Sequence, residues 1–204
     1  MPEIDVKCLT VGDFQVNCYL VVNAETRECL IVDPGEEGER IIRAAQEYKP
    51  AAVLLTHAHW DHIGAVDAVC AHFGIPLYVH EADAPKLTDS TKNVARQFGC
   101  DVTVSTRPLM LRGGETLSLA GMDIRVLHTP GHSAGSVCYL LPGAQGVLTG
   151  DTLFAHGYGR TDFADGSFHA LKESLRALFH LTPRQIAYPG HEEAGTVGRD
   201  PAEG

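Results

Sequence analysis

Residues 56–62 read THAHWDH, which places four potential metal ligands within six positions. His57 and His59 are two apart in an extended segment, so their side chains point to the same side. Apolar residues recur at helical spacing from there to Phe73, which predicts a helix over 61–73 that begins with Asp61 and His62. One histidine alone would suit a surface or a helix cap, but three imidazoles beside a carboxylate favour zinc, iron or manganese. The stretch predicts a site for two adjacent metal ions.

Three later loops offer further ligands. His132 follows a Pro-Gly turn after a predicted strand, and Asp151 and His191 each follow a glycine at the end of a β-like run. Glycines beside the ligands would allow the backbone to approach a crowded site closely. For Asp151 and His191, an ordinary turn position fits the local sequence equally well.

The pattern of apolar residues gives the surrounding architecture. The first half predicts strands over 6–11, 16–22, 30–32 and 53–55, with a helix over 36–48. The second half predicts strands over 115–119, 123–127, 136–141 and 146–149, with a helix from 168 to 178, whereas 79–97 reads only as helix plus loop. This order predicts an α+β fold with two packed sheets and helices outside. We expect one domain over 1–204, with 195–204 as a solvated tail.

Composition narrows the range of partners. The chain has 204 residues, 44% of them hydrophobic, which is enough for one core. Its net charge of -10 argues against nucleic acid and anionic membrane surfaces as partners. No apolar run reaches the length of a membrane span, and the six cysteines form no Cys-x-x-Cys pair. We expect a cytoplasmic protein that acts on a small molecule.

Together these motifs resemble the metallo-β-lactamase superfamily over nearly the whole chain, and within it the single-domain relatives of glyoxalase II, the hydroxyacylglutathione hydrolases. The resemblance implies an αββα sandwich of two mixed β-sheets and two divalent metal ions, expected to be zinc, with iron or manganese as alternatives. It implies that one ion is held by His57, His59 and His132, that the second is held by Asp61, His62 and His191, and that Asp151 bridges them. Asp33 matches a position that supports the ligands from behind.

The resemblance also implies an activity. Enzymes of this kind cleave acyl thioesters such as S-lactoylglutathione with a bridging hydroxide, and Asp61 and Asp151 would then be the catalytic residues. The segment 157–163 fits the same branch and offers Arg160 and Tyr158 as candidate substrate-binding residues. A salt bridge to Asp162 is an equally good role for Arg160.

Other functions remain open at the level of sequence. A mononuclear iron persulfide dioxygenase retains much of the same ligand pattern, and a metal-dependent binding module could use the fold without catalysis. A serine nucleophile at Ser133 or Ser136 is disfavoured because no separate base and orienting acid are evident.

Overall fold

The computed structural model describes residues 2–198 and arranges them around two six-stranded β-sheets. Neighbours in the first sheet follow the chain order, β1 (Ile4–Val11), β2 (Val16–Asn23), β3 (Glu28–Val32), β4 (Lys49–Leu54), β5 (Leu77–His80) and β6 (Pro108–Leu111). The second sheet contains β7 (Thr116–Leu119), β8 (Met122–His128), β9 (Val137–Leu140), β10 (Val147–Gly150), β11 (Ile186–Pro189) and β12 (Gly195–Thr196), again as consecutive neighbours.

Both sheets are mixed. In the first, β1, β2 and β3 pair antiparallel, and β3 to β6 continue in parallel. In the second, β10 and β11 pair in parallel and the other neighbours are antiparallel. Each parallel pair needs a crossover, and α-helices lie in those of β3–β4, β4–β5 and β10–β11, whereas short 3-10 turns lie in the β5–β6 crossover. The predicted α+β class with two mixed sheets and flanking helices is confirmed.

Three apolar layers hold the sandwich together. Side chains such as Val32, Leu54, Ile124 and Tyr139 fill the space between the sheets. On the outer face of the first sheet, the helices α1 (Gly38–Ala45) and α3 (Val66–Phe73) pack with buried residues such as Ile41 and Val69. On the outer face of the second sheet, α4 (Phe168–Leu181) packs through Leu178.

The helix predicted over 61–73 is interrupted. A short helix α2 (Trp60–Ile63) ends at Gly64, and α3 starts at Val66. At this break the backbone of Gly64 lies against Gly35, where an added Cβ would be 2.4 Å from the Gly35 oxygen. The Ala65 N–H also donates to the Pro34 carbonyl at 3.0 Å. This contact with the β3 loop redirects the chain, which a periodic pattern alone does not reveal.

Two other segments differ from expectation. The region 79–97, read as helix plus loop, contains the end of β5 and short 3-10 turns at Ala84–Lys86 and Ala95–Phe98. The predicted tail begins as β12, which pairs with β11, and Val197 is buried because it packs beneath α4. The remainder of that tail, 199–204, lies outside the described residues. None of the helices in the described part combines the length and hydropathy that a bilayer crossing requires.

Candidate metal centre

The predicted site residues come together at one edge of the sandwich. Asp33 follows β3, the stretch 57–62 follows β4, and His132 follows β8. Asp151 and His191 follow β10 and β11. Four of these five strands belong to the parallel pairs β3–β4 and β10–β11, whose carboxyl ends meet at the same edge. Ligands on short loops after rigid strands are therefore held in place by the sheets.

A first group of candidate metal ligands, called the first ligand group, consists of three buried histidines. One ring nitrogen from each of His57, His59 and His132 lies within 4.8 Å of the others. The closest approach is 2.9 Å, between Nδ1 of His59 and Nε2 of His132. Nε2 of His57 is buried without a hydrogen-bond partner. A buried polar atom without a partner is costly, and an ion that accepts its lone pair would remove that cost.

A second group of candidate ligands lies beside the first and includes a carboxylate. Asp61, His62 and His191 also bring their ligand atoms within 4.8 Å of one another. Nε2 of His191 is 3.5 Å from Oδ2 of Asp61. Nε2 of His62 is 3.9 Å from the same oxygen and has no hydrogen-bond partner.

Asp151 lies between the two groups. Its Oδ2 is 3.5 Å from Nε2 of His132 in the first group and 3.6 Å from Nε2 of His191 in the second. Its Oδ1 is 3.5 Å from Nε2 of His62 and has no hydrogen-bond partner. A carboxylate that faces both groups in this way can bridge two cations.

Contacts behind the ligands fix which ring nitrogen faces the centre. Nδ1 of His132 lies 2.8 Å from the Arg160 carbonyl oxygen, and Nδ1 of His191 lies 3.0 Å from the Phe14 carbonyl oxygen. A carbonyl only accepts, so each Nδ1 donates, and each Nε2 faces the centre and carries a lone pair when the ring is neutral. Asp33 acts similarly on His62, with Oδ2 at 3.0 Å from Nδ1.

Asp33 itself is occupied by protein donors. It accepts hydrogen bonds from the Thr56 N–H at 2.8 Å and from the Thr56 hydroxyl at 2.6 Å, in addition to its contact with His62. It could group with His57 and His62 by distance alone. Because its oxygens already have partners, it fits the predicted role of orienting a ligand better than that of binding an ion.

A second supporting carboxylate was missed from the sequence. Asp83 is fully buried and accepts from the N–H groups of Ala58 and Gly135, both at 2.8 Å. Its oxygens also accept from the Ser133 hydroxyl at 2.5 and 2.6 Å, and Nζ of Lys86 lies 3.2 Å away. Asp83 therefore ties the loop of His57 and His59 to the loop of His132.

Electrostatics differ between the two ligand groups. Burial lowers the pKa of His57 and of His59, and the neighbouring imidazoles lower it further, so both rings are neutral. Burial also lowers the pKa of His62, but the carboxylates of Asp61 and Asp151 lead the groups that outweigh it and raise that pKa to about 10. The second group therefore attracts positive charge, whether proton or metal.

A cavity of about 370 Å³ opens beside the centre. His59, Asp61, His132, Asp151 and His191 line its floor. Arg160 also lines it, and its guanidinium donates to both oxygens of Asp162 at 2.6 and 2.5 Å. Tyr158 is half-exposed and packs against Phe168 at 6.0 Å, outside the described lining of the cavity. A role for Tyr158 in substrate binding stays a prediction.

The donor set suits a pair of divalent cations, since imidazole nitrogens and carboxylate oxygens converge and several have no protein partner. Comparison with known proteins agrees with this chemistry. The profile of the Metallo-beta-lactamase superfamily matches residues 11–191. The chain belongs to the metallo-beta-lactamase superfamily. Members of this superfamily typically bind two divalent metal ions, and membership supports a metal-dependent hydrolase.

Relatives of this superfamily domain align over most of their length. A probable metallo-hydrolase, YqgX of Bacillus subtilis, is 37% identical over 90% of this chain and 88% of its own. Hydroxyacylglutathione hydrolase GloC of Haemophilus influenzae is 33% identical over 97% of this chain and 95% of its own.

Solved structures point in several functional directions. The B3 metallo-beta-lactamase BLEG-1 superposes with a TM-score of 0.90 at 36% identity, covering 95% of this chain and 94% of its own. TTHA1623 in a di-iron-bound form gives 0.82 at 36% identity, with 94% of each chain covered. ETHE1 from Myxococcus xanthus gives 0.75 at 28% identity, covering 95% of this chain and 80% of its own. These proteins share the superfamily but are described differently, since one is named a B3 metallo-beta-lactamase and another is a di-iron-bound form.

Proposed function

We propose that this superfamily domain is a dinuclear metal hydrolase that cleaves acyl thioesters. The observation that carries the proposal is the position of Asp151, whose two oxygens face the first ligand group at 3.5 Å and the second at 3.5 and 3.6 Å. A site for two cations that share a carboxylate suits hydrolysis of an acyl bond. Similarity to a relative named hydroxyacylglutathione hydrolase supports a thioester as substrate.

The roles of the residues follow from their positions. Two divalent cations would activate water and polarise the acyl carbonyl. We propose zinc as the metal, with iron or manganese as alternatives, since all three accept imidazole and carboxylate ligands. Asp61 lines the cavity, and burial would raise its pKa, but His62 and His191 outweigh that effect and lower it. An ionised Asp61 can accept a proton from the attacking water.

The experiment that tests this function begins with metal content. Protein reconstituted with zinc, iron or manganese is assayed by elemental analysis and with a panel that contains S-lactoylglutathione, simple acyl thioesters and a β-lactam. The proposal predicts about two ions per chain and thioester cleavage. Full metal occupancy without hydrolysis of any thioester would instead favour a binding module, and cleavage of the β-lactam alone would favour the activity named for BLEG-1.

A second candidate function is a mononuclear iron persulfide dioxygenase, the alternative that the ligand pattern of the sequence leaves open. Two histidines and one carboxylate can hold non-haem iron, and the first ligand group together with Asp151 offers that combination. Oxygen consumption with glutathione persulfide separates the two candidates. One iron per chain, oxygen consumption and no thioester cleavage would favour the dioxygenase.

A further inference from the structure

Three aromatic side chains form one wall of the cavity beside the metal centre. Phe14, Trp60 and Phe98, which we call the aromatic wall, come from the β1–β2 loop, α2 and the 3-10 turn at Ala95–Phe98. Phe14 meets Trp60 edge-on at 4.9 Å and Phe98 at 5.3 Å, and Trp60 lies 5.8 Å from Phe98. Phe14 and Phe98 are 43% and 41% exposed, which is unusual for interacting phenylalanines.

The aromatic wall is attached directly to the ligand loops. Trp60 stands in the chain between the ligands His59 and Asp61, and the carbonyl of Phe14 accepts from Nδ1 of His191 at 3.0 Å. Phe163 continues the apolar surface to the first ligand group, with its ring 4.9 Å from that of His59. A group bound on the aromatic wall is therefore next to the metal centre rather than in a separate groove.

The charges around the cavity do not favour an anionic substrate group on this wall. Among the described residues that line the cavity, Arg160 is the one with a permanently positive side chain, and Asp162 neutralises it with two hydrogen bonds. Its guanidinium also lies 4.7 Å over the Phe163 ring. Behind the aromatic wall, a second groove is lined by the carboxylates of Asp13 and Glu36. Apart from the two cations proposed for the cavity floor, a carboxylate placed on this wall would meet negative charge without a free cation among the described lining residues.

We propose that the aromatic wall binds the acyl group of the substrate, and that preferred substrates carry an uncharged acyl chain of several carbons or an aryl ring. This inference rests on the proposed thioester hydrolysis and narrows its substrate class. A lactoyl group is small and polar, so it leaves the exposed faces of Phe14 and Phe98 in water. A longer apolar chain covers those faces, and the removal of apolar surface from water favours binding.

The first experiment measures kcat/KM for acetyl, butanoyl, hexanoyl and phenylacetyl thioesters of N-acetylcysteamine, a neutral thiol. Full burial of a methylene would raise kcat/KM about fourfold. The wall covers only one side of the acyl chain, so we expect kcat/KM to rise about twofold per added methylene. In Phe98→Ala, the ratio of kcat/KM for the hexanoyl thioester to kcat/KM for the acetyl thioester falls about fivefold. Phe98→Leu keeps an apolar side chain and retains most of the ratio.

Phe168→Ala is the matched control, because Phe168 is a 56% exposed phenylalanine on α4 outside the described cavity lining. Its acyl preference equals that of the wild type. Turnover that is flat along the acyl series, or an equal change in Phe98→Ala and Phe168→Ala, would overturn the inference while leaving thioester hydrolysis in place. A preference that follows the thiol instead of the acyl group would also overturn it.

A second readout needs no turnover. The chain has one tryptophan, and it belongs to the aromatic wall, so intrinsic tryptophan fluorescence reports on this surface. The metal-loaded protein is titrated with hexyl and ethyl thioethers of N-acetylcysteamine, which cannot be hydrolysed. The inference predicts a saturable fluorescence change at lower concentration of the hexyl compound, weakened in Phe98→Ala. The same change in a protein that cleaves no thioester would sink the proposed function alone, and identical titrations with both compounds would sink the inference.

Discussion

Replacing Asp83 by alanine tests the claim that protein groups, and not only metal ions, hold the ligand loops together. The Asp83 carboxylate is fully buried and accepts from the N–H groups of Ala58 and Gly135. Ala58 separates two histidine ligands, and Gly135 follows His132 by three positions. Asp83→Ala removes the acceptor from both loops at once.

The size of the effect follows from the groups left behind. Two buried N–H donors without an acceptor cost about 1–3 kcal/mol each. Lys86 also loses a partner, but Asp165 stays 2.7 Å from its Nζ, so its charge is not left alone. We expect the free energy of unfolding to fall by about 2–6 kcal/mol, a large part of the ~5–15 kcal/mol of a typical domain. Asp83→Asn keeps one acceptor oxygen, so we expect about half that loss.

The assay is urea unfolding of the metal-free protein, together with competition for zinc against a chelating indicator. Zinc affinity falls at least tenfold in Asp83→Ala, because loss of an outer contact typically weakens a metal site by about 10–100-fold. The control is Asp123→Ala, which removes an exposed carboxylate that is hydrogen bonded to Ser118 and changes stability by no more than about 0.5 kcal/mol. If Asp83→Ala unfolds within about 1 kcal/mol of the wild type and binds zinc equally well, the reasoning is refuted.

Three other predictions concern the metal centre itself. His59→Ala or Asp151→Ala removes a ligand, so bound metal falls in elemental analysis and turnover is abolished; near-normal activity in either variant would contradict the assignment. Metal binding at pH 7.5 releases about one proton, since the raised pKa of about 10 keeps His62 protonated before the ion arrives. Calorimetry in buffers of different ionisation enthalpy detects this release, and zinc affinity rises with pH below that pKa; equal heats in all buffers would refute it. Gly190→Ala places a Cβ 2.2 Å from Oδ1 of Asp151, so zinc affinity drops at least about tenfold, whereas affinity equal to the wild type would show that the backbone can move away.

The clustering of the candidate ligands could be predicted from sequence because of their density and their position at strand ends. Six consecutive positions contain four of the candidate ligands, His57, His59, Asp61 and His62, and no structural role accounts for three imidazoles there. The strands could be predicted because β2, apart from Asn17, and β3 are mostly apolar runs with turn residues at their ends. Both features are visible within a short stretch of sequence, so they can be predicted without knowledge of the fold.

What the sequence did not reveal depends on contacts between distant segments. Asp83 reaches Ala58 and Gly135 across separations of 25 and 52 residues, and in its own neighbourhood it is one acid in a charged stretch. The break at Gly64 arises from the packing of its backbone on the β3 loop. Val197 is buried because β12 joins the second sheet, although the surrounding residues are polar.

The same contacts explain how candidate ligands from four loops reach one point. Asp33 joins the β3 loop to Thr56, and Asp83 joins the next loop to that of His132. Asn17, which interrupts an apolar strand, donates to the Pro189 carbonyl at 3.1 Å and so connects β2 to the loop of His191. Each connection is a buried polar side chain that accepts from or donates to the backbone of another loop, and such a group is costly unless its partner is in place. These connections depend on the packing of the two sheets, so the protein itself sets the spacing of the candidate ligand loops.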